Sequence, residues 1–329
     1  MRTIKWGIIG AGNIARKFAT ALTSMKDTEL TAIASRNIKK AERFAETFHI
    51  KKSYGSYEEL IKDEEIDVVY IATPHTEHKA NGALCIINNK AVLCEKPFTI
   101  NKEESQYLID LATKHDVFLM EAMWTKFLPV TNAVKNWIKE KKIGDVKHIR
   151  ASFGYNAPYD INSRTYNPHT AGGALLDVGV YPITYACYLL DKLPDSISSS
   201  AIIGKSNVDE QNVIALHFDN GILANLSSAI AADTGDEAII IGDEGKIHIP
   251  NFWNAQKAVV YNNEGQIVDK IELPFMSNGY EYEAEEVNNC LREGKKQSSI
   301  NSLKDTLDIM KIMDEIREQW GLKYPQEMK

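Results

Sequence analysis

Lys5-Trp6-Gly7-Ile8-Ile9-Gly10-Ala11-Gly12-Asn13-Ile14-Ala15, residues 5–15, decides how this chain is read. Lys5 to Ile9 reads as a short buried strand, and Ala15 to Ser24 reads as a helix. Between them stands G-x-G-x-x-A. Gly10 permits the tight turn, Gly12 lets a pyrophosphate approach the backbone, and Ala15 is small enough for helix and sheet to pack closely. The helix N-terminus then offers free N–H groups to phosphates. The motif is weak alone. Its place between a strand and a helix is what makes it informative.

The rhythm continues outward from this stretch. Leu30 to Ser35 predicts a second strand, and Ser56-x-x-Glu59 a capping box opening a helix. Asp67 to Ala72 is apolar almost throughout, as buried parallel strands are. It runs into Thr73-Pro74-His75-Thr76-Glu77-His78, and a helix is expected from there to about Asn89. The run Ala91 to Cys94 ends in Glu95-Lys96-Pro97-Phe98. Asn101 with Glu104 opens another helix, and Val117 to Met120 predicts one more strand before Glu121-Ala122-Met123-Trp124. Alternating strands and helices predict a parallel sheet covered on both faces. Lys96 then falls at the carboxyl end of a parallel strand, the edge where ligands bind in open α/β sheets. Pro97 disfavours a helical conformation at Lys96 and extends the backbone there.

The end of the second strand bears on the cofactor. An NAD site would place Asp or Glu there, on the ribose 2′-hydroxyl. This chain has Ser35-Arg36-Asn37, then Lys39 and Lys40, with no acid before Glu42. A hydroxyl and a guanidinium suit a 2′-phosphate, so NADP is expected. The alternative is a plain solvated turn that tolerates NAD.

After Trp124 the pattern changes. Pro129 to Lys141 predicts a helix. Val146–Tyr155, Ile197–Ile203, Asn212–Phe218, Gly221–Ile230, Glu237–Ile241, Lys246–Ile249 and Lys257–Tyr261 predict strands separated by turn signals. Further helices are expected over Gly173–Leu190, Glu281–Arg292 and Leu303–Trp320, the last opened by Ser302 and Asp305. A large sheet with few helices leaves one face to cover, which predicts a homodimer, or a dimer of dimers, through that sheet.

With 329 residues the chain is too long for one ordinary core. Its composition, 44% hydrophobic and 25% charged, is that of a soluble globular protein. A net charge of −7 argues against a nucleic-acid partner. No run is expected to approach the ~18 apolar residues of a membrane span, and the N-terminus is not expected to be a signal peptide. The four cysteines, Cys85, Cys94, Cys187 and Cys290, are scattered and predict reduced thiols in a cytoplasmic protein. His75 and His78 lack the neighbours of a zinc site, so no metal is expected.

Ala171-Gly172-Gly173-Ala174-Leu175-Leu176-Asp177-Val178-Gly179-Val180-Tyr181-Pro182 carries the remaining chemistry. Asp177 and Tyr181, four apart, share one helix face. A carboxylate among apolar neighbours needs a partner. A buried hydrogen-bonded Asp and a core Tyr form the structural alternative.

The GAGNIA loop, Glu95-Lys96-Pro97 and the D-x-G-x-Y helix stand in the order found in the Gfo/Idh/MocA oxidoreductases, which the chain resembles over essentially its whole length. Within that family it is most similar to the dimeric dihydrodiol and NADP-dependent D-xylose dehydrogenases. That likeness rests on Trp6-Gly7, Ala34-Ser35-Arg36, Tyr54-Gly55-Ser56-Tyr57, Val92 to Pro97, Met120 to Trp124, Tyr181 and Tyr324-Pro325-Gln326. Many members have His where this chain has Tyr181, which disfavours an inositol dehydrogenase. The resemblance implies an α/β protein with a Rossmann dinucleotide-binding domain, 1–123. An α+β domain, 124–329, would follow, with a large, mostly antiparallel open sheet for substrate binding and dimerisation.

The resemblance also implies roles. Lys96 and Tyr181 would be the catalytic pair, with Asp177 beside them. Gly10, Gly12, Asn13 and Ile14 would hold the dinucleotide with Ser35 and Arg36. Thr73, Pro74, His75 and His78 would join them, as would Glu95, Lys96 and Trp124. Trp124, Phe153, Asp177, Tyr181 and Lys96 would face substrate. A free tyrosine has a pKa of about 10, and a nearby ammonium would lower it. Tyr181 would then serve as general base in alcohol oxidation and as acid in reverse, with Lys96 stabilising the developing alkoxide. Lys96 as the acid/base is the reversed assignment. The expected activity is hydride transfer between NADP and a sugar, polyol or trans-diol. A ketose or dicarbonyl reductase and a non-catalytic NADP-binding regulator are the alternatives.

Overall fold

A computed structural model describes residues 1–328. The chain divides into two compact units: Met1–Trp124 with Phe275–Leu307, and Thr125–Pro274 with the chain from Asp308 onward.

The first unit is built on six parallel strands: β1 (Ile4–Ile9), β2 (Thr28–Ala34), β3 (Lys52–Tyr54), β4 (Val68–Ile71), β5 (Ala91–Glu95) and β6 (Leu119–Ala122). Their spatial order is β3-β2-β1-β4-β5-β6. This is the doubly wound order, and the chain reverses direction between β1 and β4. β4, β5 and β6 are buried at every position, as their apolar runs require. The helices of this half are α1 (Asn13–Ser24), α2 (Ile38–Phe48), α3 (Tyr57–Ile61), α4 (His78–Ile87) and α5 (Lys102–His115). Asn101 caps α5, its side chain accepting from the Glu104 amide at 2.9 Å, and Ser56 caps α3 in the same way. The short edge strand β3 was not anticipated. β6 begins two residues later than the apolar pattern suggested.

The second unit carries α6 (Pro129–Lys139), β7 (Val146–Gly154), α7 (Val180–Leu190) and seven further strands. These are β8 (Ser196–Ile203), β9 (Asp209–Phe218), β10 (Ile222–Ala229), β11 (Ala238–Gly242), β12 (Gly245–Ile249), β13 (Lys257–Asn262) and β14 (Ile267–Glu272). They form one sheet in the order β14-β13-β12-β11-β7-β10-β9-β8. Only β7 and β10 run parallel; the other pairings are antiparallel. The expected open sheet is therefore present, with β14 as an additional edge strand. Burial alternates along β9: Asn212, Ile214 and Leu216 point inward, while Gln211, Val213, Ala215 and His217 are exposed. Ser198, Ala215, Asn225 and Arg150 lie side by side across four strands of the outer face.

The expected division put everything after residue 123 in one domain. The structure instead returns Phe275–Leu307, including α8 (Glu281–Arg292), to the first unit. Polar anchors explain the return. Trp6 Nε1 donates to Asn288 Oδ1 at 3.0 Å, and Asn288 Nδ2 donates to Thr28. The Lys296 carbonyl accepts from the Leu119 amide on edge strand β6. Asn301 Nδ2 donates to the Glu121 carbonyl. These partners lie far apart in sequence, so no local pattern announces them. α9 (Leu303–Gln319) begins in the first unit and continues in the second, with Ser302 accepting from the Asp305 amide.

Two expectations change around α7. The predicted helix Gly173–Leu190 contains a π turn at Leu175–Gly179 before the α-helix begins. Also, the helical segment Pro168–Leu190 is long and apolar enough to cross a membrane by composition, which the sequence was not expected to contain. That window is 89% buried within the protein, which accounts for its hydropathy as that of a core helix.

Candidate functional site

In the first unit the glycine loop has the form a dinucleotide needs. Gly10 has φ +97°, and a Cβ there would lie 2.6 Å from the Ala72 carbonyl oxygen at the end of β4. Gly12 has an ordinary backbone conformation, and a Cβ there would meet nothing within 4 Å. The space above Gly12 is open, and α1 has neither a side-chain cap nor an acid in its first turn. Free N–H groups facing a cradle that a Cβ would fill fit a pyrophosphate. The two glycines therefore separate stability from binding. Gly10→Ala is expected to lower the thermal midpoint. Gly12→Ala is expected to leave the midpoint unchanged and weaken NADPH binding by about tenfold or more, measured by titration calorimetry.

Ser35, just after β2, is buried, its Oγ accepting from the Asn37 amide. Arg36 is exposed and so are Lys39 and Lys40. Tyr57 sits beside Arg36. Burial raises the Tyr57 phenol above its ordinary pKa, and the guanidinium partly offsets that.

The Glu95–Phe98 loop at the end of β5 is braced on every side. Glu95 is buried; Oε2 accepts from the Lys96 amide at 3.1 Å, and Oε1 accepts from the Tyr70 hydroxyl. Glu121, from the end of β6, accepts from the Phe98 amide at 3.1 Å and from the Thr306 hydroxyl at 2.9 Å. His78 is fully buried. Its ring nitrogens lie 3.0 Å from the Pro97 carbonyl and 2.9 Å from the Thr73 carbonyl, tying the β4 and β5 loops together. Burial holds the His78 pKa below its usual value, with those carbonyls pulling the other way. The Lys96–Pro97 peptide is cis. Lys96 is itself half-buried.

Three of the residues expected to contact cofactor also brace the fold. His78 and Glu95 are buried beneath the loops. Trp124 is buried with its indole stacked on Tyr280 at 4.3 Å. Thr73, Pro74 and His75 follow β4, and Pro74 is exposed. Glu283 of α8 was missed. It is fully buried, both its oxygens lack hydrogen-bond partners among the described residues, and burial with Glu95 and Glu121 nearby raises its pKa well above normal.

In the second unit, Asp177 is buried and fully engaged. Oδ1 accepts from Arg164 at 3.0 Å, and Oδ2 accepts from the Tyr155 hydroxyl at 2.6 Å. Burial and the Asp177 charge raise the Tyr155 pKa, so Tyr155 stays a donor. Tyr181 packs into an aromatic wall. Its ring is 5.4 Å from Phe153 and 6.3 Å, edge-on, from Trp253, while Phe153 stacks on Trp253 at 4.9 Å. Trp253 is held by Asp236, which accepts from its indole at 2.9 Å. Gly179, between Asp177 and Tyr181, is required by packing: a Cβ there would lie 2.7 Å from Ser228 Oγ on β10. The π turn spans this stretch, so the simple four-residue helix spacing does not describe how Asp177 and Tyr181 are presented. The structure brings Asp177, Phe153 and Tyr181 into one unit and adds Tyr155, Arg164 and Trp253. Sequence reading had no signal for these three, because their roles come from loops and strands distant in the chain.

Residues 4–123 match the oxidoreductase family with an NAD-binding Rossmann fold, and residues 131–248 match the GFO/IDH/MocA C-terminal domain. The chain belongs to the GFO/IDH/MocA oxidoreductases. Among curated members of the family, it is 38% identical to trans-1,2-dihydrobenzene-1,2-diol dehydrogenase of Xenopus tropicalis, over 98% of this chain and 99% of the relative. The human protein of that name is 32% identical over the same shares. Among solved structures, KijD10, a 3-ketoreductase from Actinomadura kijaniata in complex with NADP, aligns with a TM-score of 0.86 at 25% identity. The alignment covers 96% of this chain and 98% of that one. Aldose-aldose oxidoreductase from Caulobacter crescentus shares the fold, with a TM-score of 0.89 at 21% identity over 97% and 98% of the two chains. As a member of this family the chain is a nicotinamide-dinucleotide oxidoreductase acting on hydroxyl groups.

Proposed function

We propose that this enzyme is NADP-linked and exchanges a hydride with the hydroxyl-bearing or carbonyl carbon of a trans-diol, sugar or polyol. One observation carries the reading: Tyr181 is set in a wall of Phe153 and Trp253, in the same unit as an Asp177 that binds Tyr155 and Arg164. Aromatic faces suit the apolar side of a small ring, and a phenol suits proton exchange with its hydroxyl. Relatives named for a trans-diol, similar over nearly the full length, support the substrate class.

When bound, the nicotinamide supplies the hydride acceptor, or the donor in reverse. Gly10, Gly12 and the α1 N-terminus would hold its pyrophosphate, and Ser35 and Arg36 its 2′-phosphate. Tyr181 takes the proton of the alcohol as the C–H hydride departs, and returns it in reduction. In the role the family resemblance implies, Lys96 would supply the positive charge that favours phenolate and alkoxide. Asp177 keeps Tyr155 and Arg164 in place and moves no proton itself.

The test is the change in reduced-nicotinamide absorbance with NADP or NAD against D-xylose, D-glucose, cyclic trans-diols and inositol. Turnover of one panel member, faster with NADP, is the expected result. Tight NADPH binding with no turnover of any alcohol, or of the matching carbonyls in reverse, would overturn it in favour of a regulator.

The outer face of the eight-stranded sheet supports a homodimer as part of the proposal. Val213 and Leu223 are exposed on it among small Ser and Ala side chains. A self-complementary pairing would cover this face. Val213→Arg is expected to halve the mass seen by sedimentation; an unchanged mass would place the contact elsewhere.

A further inference from the structure

We infer that Asp209, the first residue of β9, is the positioning residue that sets the register of the π turn carrying Asp177 toward Tyr181. The inference rests on the roles proposed above for that segment. Three buried side chains form a chain beneath the turn. Asp209 Oδ2 accepts from the Leu175 amide at 2.7 Å and from Asn212 Nδ2 at 2.9 Å. Asn212 Oδ1 accepts from Ser228 Oγ at 2.9 Å. All three are buried.

A residue just ahead of the π turn and the last residue within it rest on the two ends of this network. Ahead of the turn, a Cβ on Gly173 would lie 2.2 Å from Asp209 Oδ1. At the end, a Cβ on Gly179 would lie 2.7 Å from Ser228 Oγ. Glycine at both positions lets the backbone sit directly on the polar chain. A third hold comes from the C-terminal segment, where the Tyr324 hydroxyl donates to the Gly172 carbonyl at 3.1 Å. The Leu175 amide lies in the first turn of the helical segment, where no preceding helical carbonyl accepts it, so it needs an external partner. Asp209 supplies the acceptor for the Leu175 amide at the first residue of the π turn.

Its carboxyl is unusual. Burial pushes the Asp209 pKa up to about 7, against the pull of the Leu175 amide, Asn212 and the Arg317 guanidinium. Arg317 on α9 is held by Asp314 and Glu327, and with Tyr324 on the C-terminal segment it faces Asp209 from other elements. Glu210 is its acidic neighbour on β9. The folded value lies above that of a solvated carboxyl. The closed turn therefore binds the proton better than an opened one does. Protection is full below the ordinary carboxylate range and is lost as pH rises through about 7.

Asp209→Asn and Asp209→Ala test this. Asparagine is neutral and isosteric, and its one oxygen can accept both N–H groups. Hydrogen exchange of the Leu175–Tyr181 amides, corrected for intrinsic rate, is compared at about pH 5.5 and about pH 8. In the wild type, protection is expected to fall by up to about thirtyfold across that range. In Asp209→Asn it is expected to stay level. Asp209→Ala is expected to lower kcat by about tenfold or more with NADPH affinity unchanged, and Asp209→Asn to restore it. The same pH dependence in wild type and Asp209→Asn would overturn the inference, and so would wild-type kcat in Asp209→Ala. If the wild type turns over nothing, the proposed activity fails, and the exchange comparison alone decides the role of Asp209. If Asp209→Ala does not fold, Asp209→Asn carries both readouts.

Discussion

Lys96→Met lowers kcat by about a thousandfold while NADPH still binds within about tenfold of wild type: this is the expected result of replacing the cation at the end of β5. The loop itself should survive the change. Its backbone is held by Glu95 at the Lys96 amide, by Glu121 at the Phe98 amide and by His78 at the Pro97 carbonyl. None of these bonds uses the lysine side chain. The loss would therefore report chemistry, and an unchanged thermal midpoint would accompany it. Tyr181→Phe keeps the ring in its wall with Phe153 and Trp253 and removes only the hydroxyl. It should lose a similar factor, and the double variant should lose little more than either single one, because groups acting as a unit are not additive. A Tyr181→Phe enzyme that keeps most of its kcat would assign the proton transfer to Lys96. Full activity in Lys96→Met would remove Lys96 from the mechanism.

The second large effect concerns cofactor choice. Arg36→Asp is expected to raise the KM for NADP by about a hundredfold and to spare NAD. Arg36 is exposed just after β2, where the turn is shaped by Ser35 accepting from Asn37 and by Asn37 capping α2. Those contacts do not need the guanidinium, so the variant should fold. The change replaces an attraction for the 2′-phosphate with a repulsion, which is why the effect should exceed that of Arg36→Ala. An unchanged ratio of the two cofactors would show that the 2′-phosphate is read elsewhere.

Two network residues make the same point about support. His78 was expected to contact cofactor, since it stands at a strand end, while Glu121 was given no role in sequence. In the structure His78 lies against the Thr73 and Pro97 carbonyls, and Glu121 accepts from the Phe98 amide and the Thr306 hydroxyl. Asp209 had no motif around it, yet it holds the first amide of the π turn.

Residues 5–15 by themselves determined the nucleotide-binding half, because a strand, a glycine turn and a helix start are local features with local causes. The same holds for the capped starts of α3 and α5, the buried character of β4 and β5, and the missing acid after β2. The alternation in β9 and the turn signals around it made the open sheet legible, since a period of two reports one buried face directly. Only the tertiary structure decided the rest. It returned Phe275–Leu307 to the first unit through Asn288, Lys296 and Asn301, whose partners lie far away in the chain. It gathered Phe153, Tyr181 and Trp253 into one wall and closed Asp177 with Tyr155 and Arg164. It also widened the helix at Leu175–Gly179 over a buried polar chain. Sequence periodicity records which face of an element is buried, but not which distant donor or acceptor will meet it there. Those meetings are set by packing.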